Sequence, residues 1–528
     1  MAADLPRSAA GRVGPWVMTA CISLPTFMEV LDVSIANVAL PQIAGNLGVP
    51  PERATWLVTT YLVANAVIIP ISGFLSRAIG RKRYFLLSIL LFTLASLACA
   101  LAPSFGMLLA ARVLQGVGGG GLAPVEQAML ADSFPPEKRS MAFAAFGIVI
   151  VIAPILGPTV GGAVVDSLSW HWLFLLNVPV GILALVLVQA FTVESDTLVE
   201  ERQARLRKGL SFDWQGFLFM VVGLGALLIM LDRGESEGWF SSGLIVAMTA
   251  LAVAGLGAML IWEFNHPDPI VPLPLLFQSR NLAIAVAMMM ILGILIFGTI
   301  QLIPQMLQGV FGYSPYLAGL ALTYGGAIAI LMMPVSGIAV SRLDVRMVLF
   351  PAFALQAFAF WNLSNFSTQS TFFDASMARF WISLGLPFLF IPITNVAYVG
   401  LAPGDADKAS AMLNLFRNVG GAFGISFCQT MLSRRDEFHF ARLSETLTPG
   451  NGIFNGTLDR LTAALGDRAQ ALATLVGEVR RQTTMLAFTD TFHVLMIAVL
   501  CILPFILILR TTPSRAREET ADTAKDAA

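Results

Sequence analysis

The sequence predicts an all-α integral membrane protein of fourteen spanning helices, built as two six-helix halves around an inserted pair. Three observations carry this expectation. Only 12% of the 528 residues are charged and 56% are hydrophobic, whereas soluble proteins carry roughly 25% charged residues. Fourteen apolar runs have about the twenty residues that a bilayer-crossing helix needs. The later part of the chain also repeats motifs of the earlier part, in the same order.

The first run, Gly14–Leu40, follows Arg7 and Arg12 and could imitate a secretory leader. It is too long for a leader's apolar segment and lacks a small-residue cleavage signal, so it reads as the first span. Spans 2 to 6 are Trp56–Ser76, Phe85–Ala102, Phe105–Ala131, Ala142–Val165 and Trp172–Phe191. Spans 7 and 8 are Trp214–Leu231 and Ser242–Trp262. Spans 9 to 14 are Leu282–Val310, Pro315–Val340, Val348–Leu363, Ser376–Ala402, Ala409–Ser433 and Phe488–Leu509. Trp16, Trp56, Trp170, Trp172, Trp214, Trp239, Trp262 and Trp361 sit at the ends of these runs, as expected of an interfacial aromatic belt.

With fourteen spans both termini lie on one side. Lys and Arg concentrate there, and the short loops of the other side carry only Arg53 and Arg233. The positive-inside rule therefore places both termini in the cytoplasm. The segment 434–487 is the only sizeable soluble part. Leu458, Leu461, Leu465, Leu472, Val476 and Val479 recur there at helical spacing, with Asp459, Arg460, Glu478 and Arg481 between them. This pattern predicts an amphipathic helix on the outer side, packed as a lid or docking a partner.

The repeat is seen in Pro70-Ile71-Ser72-Gly73 of span 2 against Pro334-Val335-Ser336-Gly337 of span 10. Arg112 and Gly118 of span 4 match Arg379 and Gly385 of span 12. The division is thus 1–191 for the first half, 192–280 for the inserted helices and 281–528 for the second half. Two parallel halves about an axis normal to the membrane is a transporter arrangement, with substrate bound between them near the midplane.

Other classes fall away. A net charge of −1 offers no excess of cations for nucleic acid. Cys21, Cys99, Cys428 and Cys501 each lie in an apolar run, without metal-ligand spacing, so no metal or cofactor is expected. The Gly116–Gly121 run lacks the Gly-Lys-Ser/Thr ending of a phosphate loop. No nucleophile, base and metal combination suggests an enzyme.

The motifs resemble the major facilitator superfamily, most closely its fourteen-helix drug:proton antiporters of the EmrB/QacA type. Span 1 ends Leu31-Asp32-Val33-Ser34-Ile35-Ala36-Asn37-Val38-Ala39-Leu40-Pro41. Span 4 carries Arg112-Val113-Leu114-Gln115-Gly116-Val117-Gly118. Span 5 carries Pro154, then Gly157-Pro158-Thr159-Val160-Gly161-Gly162, and Asn177-Val178-Pro179 follows in span 6. The resemblance implies the major facilitator fold and proton-driven export of hydrophobic or amphipathic compounds across a bacterial inner membrane. It also implies a periplasmic adaptor and an outer-membrane channel as partners. One departure stands out. In the loop Gly73-Phe74-Leu75-Ser76-Arg77-Ala78-Ile79-Gly80-Arg81-Lys82, Arg77 replaces the family's acidic residue, so an altered cytoplasmic charge latch is expected.

Ionisable residues inside spans are costly and are functional candidates. Asp32 and Arg112 fall at similar depths, about 10–12 Å from the outer ends of their helices. Asp32 is the candidate proton site and Arg112 the cation that tunes it; a permanent packing pair is the structural alternative. Gln115, Glu126 and Arg417 are candidates for the substrate cavity, although Glu126 could instead snorkel to the cytoplasmic interface. Pro154, Gly157, Pro158, Gly161 and Gly162 would kink helix 5 and let it pack closely. The function expected is proton-coupled multidrug efflux; a dedicated exporter of one metabolite, fatty acid or siderophore, or a non-transporting sensor, is the alternative.

Overall fold

A computed structural model describes residues 14–192, 212–266, 269–399, 401, 405–445, 447–448 and 450–508. Every regular element among the described residues is helical. The long helices are α1 (Pro15–Leu47), α2 (Trp56–Ile79), α3 (Arg81–Ala100), α4 (Phe105–Ser133), α5 (Pro136–Ser167), α6 (His171–Phe191) and α7 (Trp214–Arg233). They continue as α8 (Gly243–Asn265), α9 (Arg280–Gly309), α10 (Pro315–Arg342), α11 (Val345–Ser364), α12 (Phe372–Ala397), α13 (Ala406–Ser444) and α14 (Arg468–Ile508). Twelve helices among the described residues are long and apolar enough to cross a membrane by length and composition. The whole of α5 and α13 pack among these, which accommodates the fourteen expected.

Local chemistry sets the helix ends. Ser104, Ser279 and Ser314 each accept a backbone N–H at the start of α4, α9 and α10, the usual N-cap role of a serine. Thr371 and Asp374 form a reciprocal capping box at the start of α12. Between α2 and α3, Gly80 has φ +98°, a conformation that side chains disfavour.

The halves meet through few helices. α5 packs on α1 in its own half and on α10 of the other, and α13 packs on α9 and crosses to α2 and α4. α7 pairs with α8 and touches both α2 and α13. Side chains such as Val253, Ile261, Leu218 and Leu183 remain exposed on the outside of the bundle, as a lipid-facing surface requires.

Several expectations change. α1 stays helical to Leu47 rather than stopping at Leu40, and α13 runs on to Ser444. The segment 434–487 is mostly helix: the end of α13, a separate helix Gly452–Leu465 and the first five turns of α14. The expected single amphipathic helix is interrupted at Gly466, whose φ is +78°. Leu458 is buried, but Leu465, Leu472 and Val476 are exposed, so the apolar positions do not form one stripe. Trp170 is buried and stacked on His171 rather than standing in an interfacial belt. Residues 1–13, 193–211 and 509–528, which hold many of the basic residues behind the orientation argument, lie outside the described residues.

Candidate functional site

Within the first half, five helices bring a polar network into the apolar bundle. Asp32 on α1 and Arg112 on α4 form a buried ion pair, with Nη1 of Arg112 2.6 Å from Asp32 Oδ2. Gln115, one turn along α4, donates to Asp32 Oδ1 at 2.9 Å and accepts from Arg112 at 2.7 Å. Asn177 of α6 donates to Asp32 Oδ1 at 2.6 Å. Ser96 of α3 accepts from Gln115 at 2.8 Å. Arg112 also donates to the Leu57 carbonyl of α2 at 3.1 Å, and its Cζ stands 4.4 Å from the centre of the Tyr61 ring. Charge-assisted bonds of this kind are strong in a dry interior, and nearly every polar atom here has a partner. Arg112 Nη2 is the exception.

Gln115, expected in the substrate cavity, is fully buried inside this network. Glu126 does not snorkel: it is 0% exposed and accepts from the Ser23 hydroxyl of α1. Glu29, one turn before Asp32 on α1, accepts from Tyr61 Oη at 3.2 Å and Asn65 Nδ2 at 3.0 Å. The glycines of α4 make room for these groups. A Cβ at Gly119 would lie 2.8 Å from Tyr61 Oη and 3.2 Å from Glu29 Cγ. One at Gly120 would lie 2.4 Å from the Asn65 carbonyl oxygen.

The α5 motif divides. A Cβ on Gly157 would meet Ser34 Oγ at 2.1 Å, and one on Gly161 would touch Ile35 at 3.4 Å. The Pro154 carbonyl accepts from Ser34 Oγ at 3.2 Å. These three positions thus hold α5 close against α1. Gly162 has nothing within 4 Å of such a Cβ, and the side chain of Pro158 lies outside the described residues.

At the end of the bundle where Pro15 lies, the halves are joined by charge and by packing. Arg81, 4% exposed, bridges Asp132 of α4 and Asp407 of α13, with Nη2 2.8 Å from Asp407 Oδ2. Gly73 sits beside the Asp407 backbone. Ser140 Oγ donates to the Gly337 carbonyl at 3.1 Å, Asn414 donates to Gln127 at 2.8 Å, and Phe143 stacks on Tyr398. The latch expected to be altered at Arg77 is built from Arg81 instead; Arg77 Nε donates to the Gly73 carbonyl at 2.8 Å.

Arg417 on α13 is 8% exposed, and its Nε has no acceptor among the described residues. Sequence reasoning missed Glu29, Tyr61, Asn65, Asp132 and Asp407. Glu29 carried a usable signal, since an acid three residues from Asp32 shares its helix face. The cross-half partner Asp407 carried none, because nothing local pairs Arg81 with a residue more than three hundred positions later.

The model of the Major Facilitator Superfamily matches residues 22–425. The multidrug export protein EmrB of Escherichia coli K12 is 36% identical over 478 residues, covering 90% of this chain and 91% of that one. The probable multidrug resistance protein EmrY of the same organism is 34% identical, covering 92% and 93%. Among solved structures, the proton:xylose symporter XylE superposes with a TM-score of 0.58 at 13% identity, over 93% of this chain and 95% of that one. From the family match, the near full-length relatives and the shared helical fold, the chain belongs to the major facilitator superfamily, in its drug:proton antiporter branch of the EmrB/QacA type.

Proposed function

We propose that this protein is a proton-coupled multidrug efflux transporter that works by alternating access between its two halves. The carrying observation is the likeness to multidrug export proteins over nine-tenths of the chain, with a buried carboxylate–guanidinium pair in the family motif. Hydrophobic and amphipathic small molecules are the cargo and protons the counter-substrate.

Asp32 is the proposed proton site and Arg112 its tuning cation. A proton arriving at Asp32 of α1 removes Arg112's counter-ion and weakens its bonds to Gln115 of α4 and Asn177 of α6. That is a local change able to bias helix packing. Residues 1–191 and 281–528 are the proposed moving bodies, with 192–280 between them. The bacterial inner membrane is the proposed location, with both termini cytoplasmic. The helices within 434–487 would then face the periplasm, where an adaptor leading to an outer-membrane channel could dock.

The test is efflux from proteoliposomes under an imposed pH gradient, using several unrelated cationic and neutral dyes. Gradient-dependent movement of chemically diverse dyes is the expected result. Movement of one compound only would replace this reading by a dedicated exporter, and movement of none would remove the transport reading.

A further inference from the structure

The pair α7–α8, with the chain that follows it, reaches both α2 and α13 at both ends of the bundle. At the end away from the Arg81 latch the pair is fixed to α2. Arg233 Nη1 donates to Thr55 Oγ1 at 2.6 Å, its Cζ stands 4.8 Å from the centre of the Trp56 ring, and Thr59 donates to Asp232. The turn into α8 then grips α13. Trp239 Nε1 donates to Thr430 Oγ1 at 3.2 Å and to Glu235 at 2.9 Å. Among the described residues Trp239 alone, glycines aside, has a positive φ, +52°. Its ring packs so closely on Gly234 that a Cβ there would lie 2.8 Å from it.

At the latch end, Trp262 of α8 donates to Asp213 at the start of α7 at 2.9 Å and closes the hairpin. The chain beyond α8 does not loop out into water. Ile270, Val271 and Leu273 are buried, and the Val271 N–H donates to the buried carboxyl group of Glu263 at 3.3 Å. Val271 and Pro272 line one cleft with Gly73 and Arg77 of α2 and Lys408 and Met412 of α13.

All of these ties are made while the latch is shut. Alternating access requires α2 and α13 to part at the latch end, and a body resting on both cannot follow both. Building on that reading, we propose that α7–α8 is a clamp across the α2–α13 seam that favours the latch-shut conformation. It travels with the first half and holds the second through the Trp239–Thr430 hydrogen bond and the Val271–Pro272 strap. Unequal anchoring sets which half it follows: two polar bonds and an aromatic ring on α2, against one shared hydrogen bond on α13. The backbone of Trp239 fits this role, since a left-handed residue of this bulk persists only where its surroundings hold it.

The experiment reads how often the latch end opens. The reporter is Ser410→Cys, a fully buried position on α13 one turn before Asn414, which bonds across to Gln127. Cys501→Ser removes the exposed native cysteine and leaves Cys21, Cys99 and Cys428 buried. Labelling of the purified full chain by N-ethylmaleimide is timed by intact mass spectrometry. Trp239→Phe keeps an aromatic ring and loses the N–H, and should speed labelling about fivefold, the worth of one neutral hydrogen bond. Thr430→Val should do the same, and the two together should exceed Trp239→Phe alone by nothing, because they remove one bond. Val271→Ala, which thins the strap, should also speed it. Unchanged rates in Trp239→Phe and Thr430→Val overturn the clamp. So does faster labelling of the same variants without the reporter, because the buried native cysteines then reveal a general loosening. Arg81→Gln keeps the two readings apart. A reporter exposed by Arg81→Gln but not by the clamp variants sinks the clamp alone. A reporter hidden even in Arg81→Gln means that the latch end does not part, and alternating access falls with the clamp.

Discussion

Arg112 and Arg379 occupy matching places in the two halves, yet their surroundings differ in kind. Arg112 is enclosed by Asp32, Gln115, the Leu57 carbonyl and the Tyr61 ring. Arg379, on α12, is 5% exposed, and among the described residues its Nε has no acceptor and its charge no ion-pair partner. It packs under Gly325 of α10, where a Cβ would meet its Cγ at 2.6 Å, and beside Ser383, whose hydroxyl is also unpartnered. The two halves thus share the arginine, while among the described residues an acid answers it in only one of them. The repeat is a record of architecture, and the chemistry has been kept asymmetrically on top of it.

The sharpest way to break this comparison is to remove the acid. Asp32→Asn leaves Arg112 buried without a counter-ion, so Arg112 would come to resemble Arg379. The expected cost is about 3–5 kcal/mol, seen as a lower melting temperature in detergent, together with loss of gradient-driven efflux. An unchanged melting temperature would mean that the pair contributes little to folding.

The converse substitution is Arg379→Met. Removing a buried charge that has no partner should stabilise the protein, by about 1–3 kcal/mol, whereas Arg112→Met should destabilise it. If both shift melting in the same direction, the asymmetry has no energetic content.

The glycines of α5 give a smaller contrast inside one half. Gly157→Ala drives a methyl group into Ser34 and should cost about 1–3 kcal/mol. Gly162→Ala meets open space and should stay within about 0.5 kcal/mol of the parent. Thermal unfolding of the two variants side by side checks this.

Much of the bundle was legible in the chain because spanning helices are announced by long apolar runs, and the Asp32–Arg112 pair because charges in such runs are rare. Helix ends were less legible. Hydropathy marks where a helix leaves the apolar layer, not where it stops being helical, so α1 and α13 were read too short. The segment before α14 looked like a loop with one helix because its apolar spacing continues across Gly466, where the backbone turns. Glu126 was misjudged from its position near a helix end; Ser23 and the tight packing of α1 on α4 enclose it. The Arg81 latch stayed hidden because its partners come from distant turns of the chain, and charge lost at Arg77 is supplied from Asp132 and Asp407.

The Arg81 latch also has a bearing on how the closed end responds to the solution around it. Mobile ions screen charges that water reaches, over about 8 Å at physiological ionic strength. Arg81 and Asp407 are sealed from water, with side chains only 5% and 4% exposed, and only Asp132 is open to it. A cell that concentrates its salts under osmotic stress would therefore leave the grip between Arg81 and Asp407, while they remain joined, almost untouched.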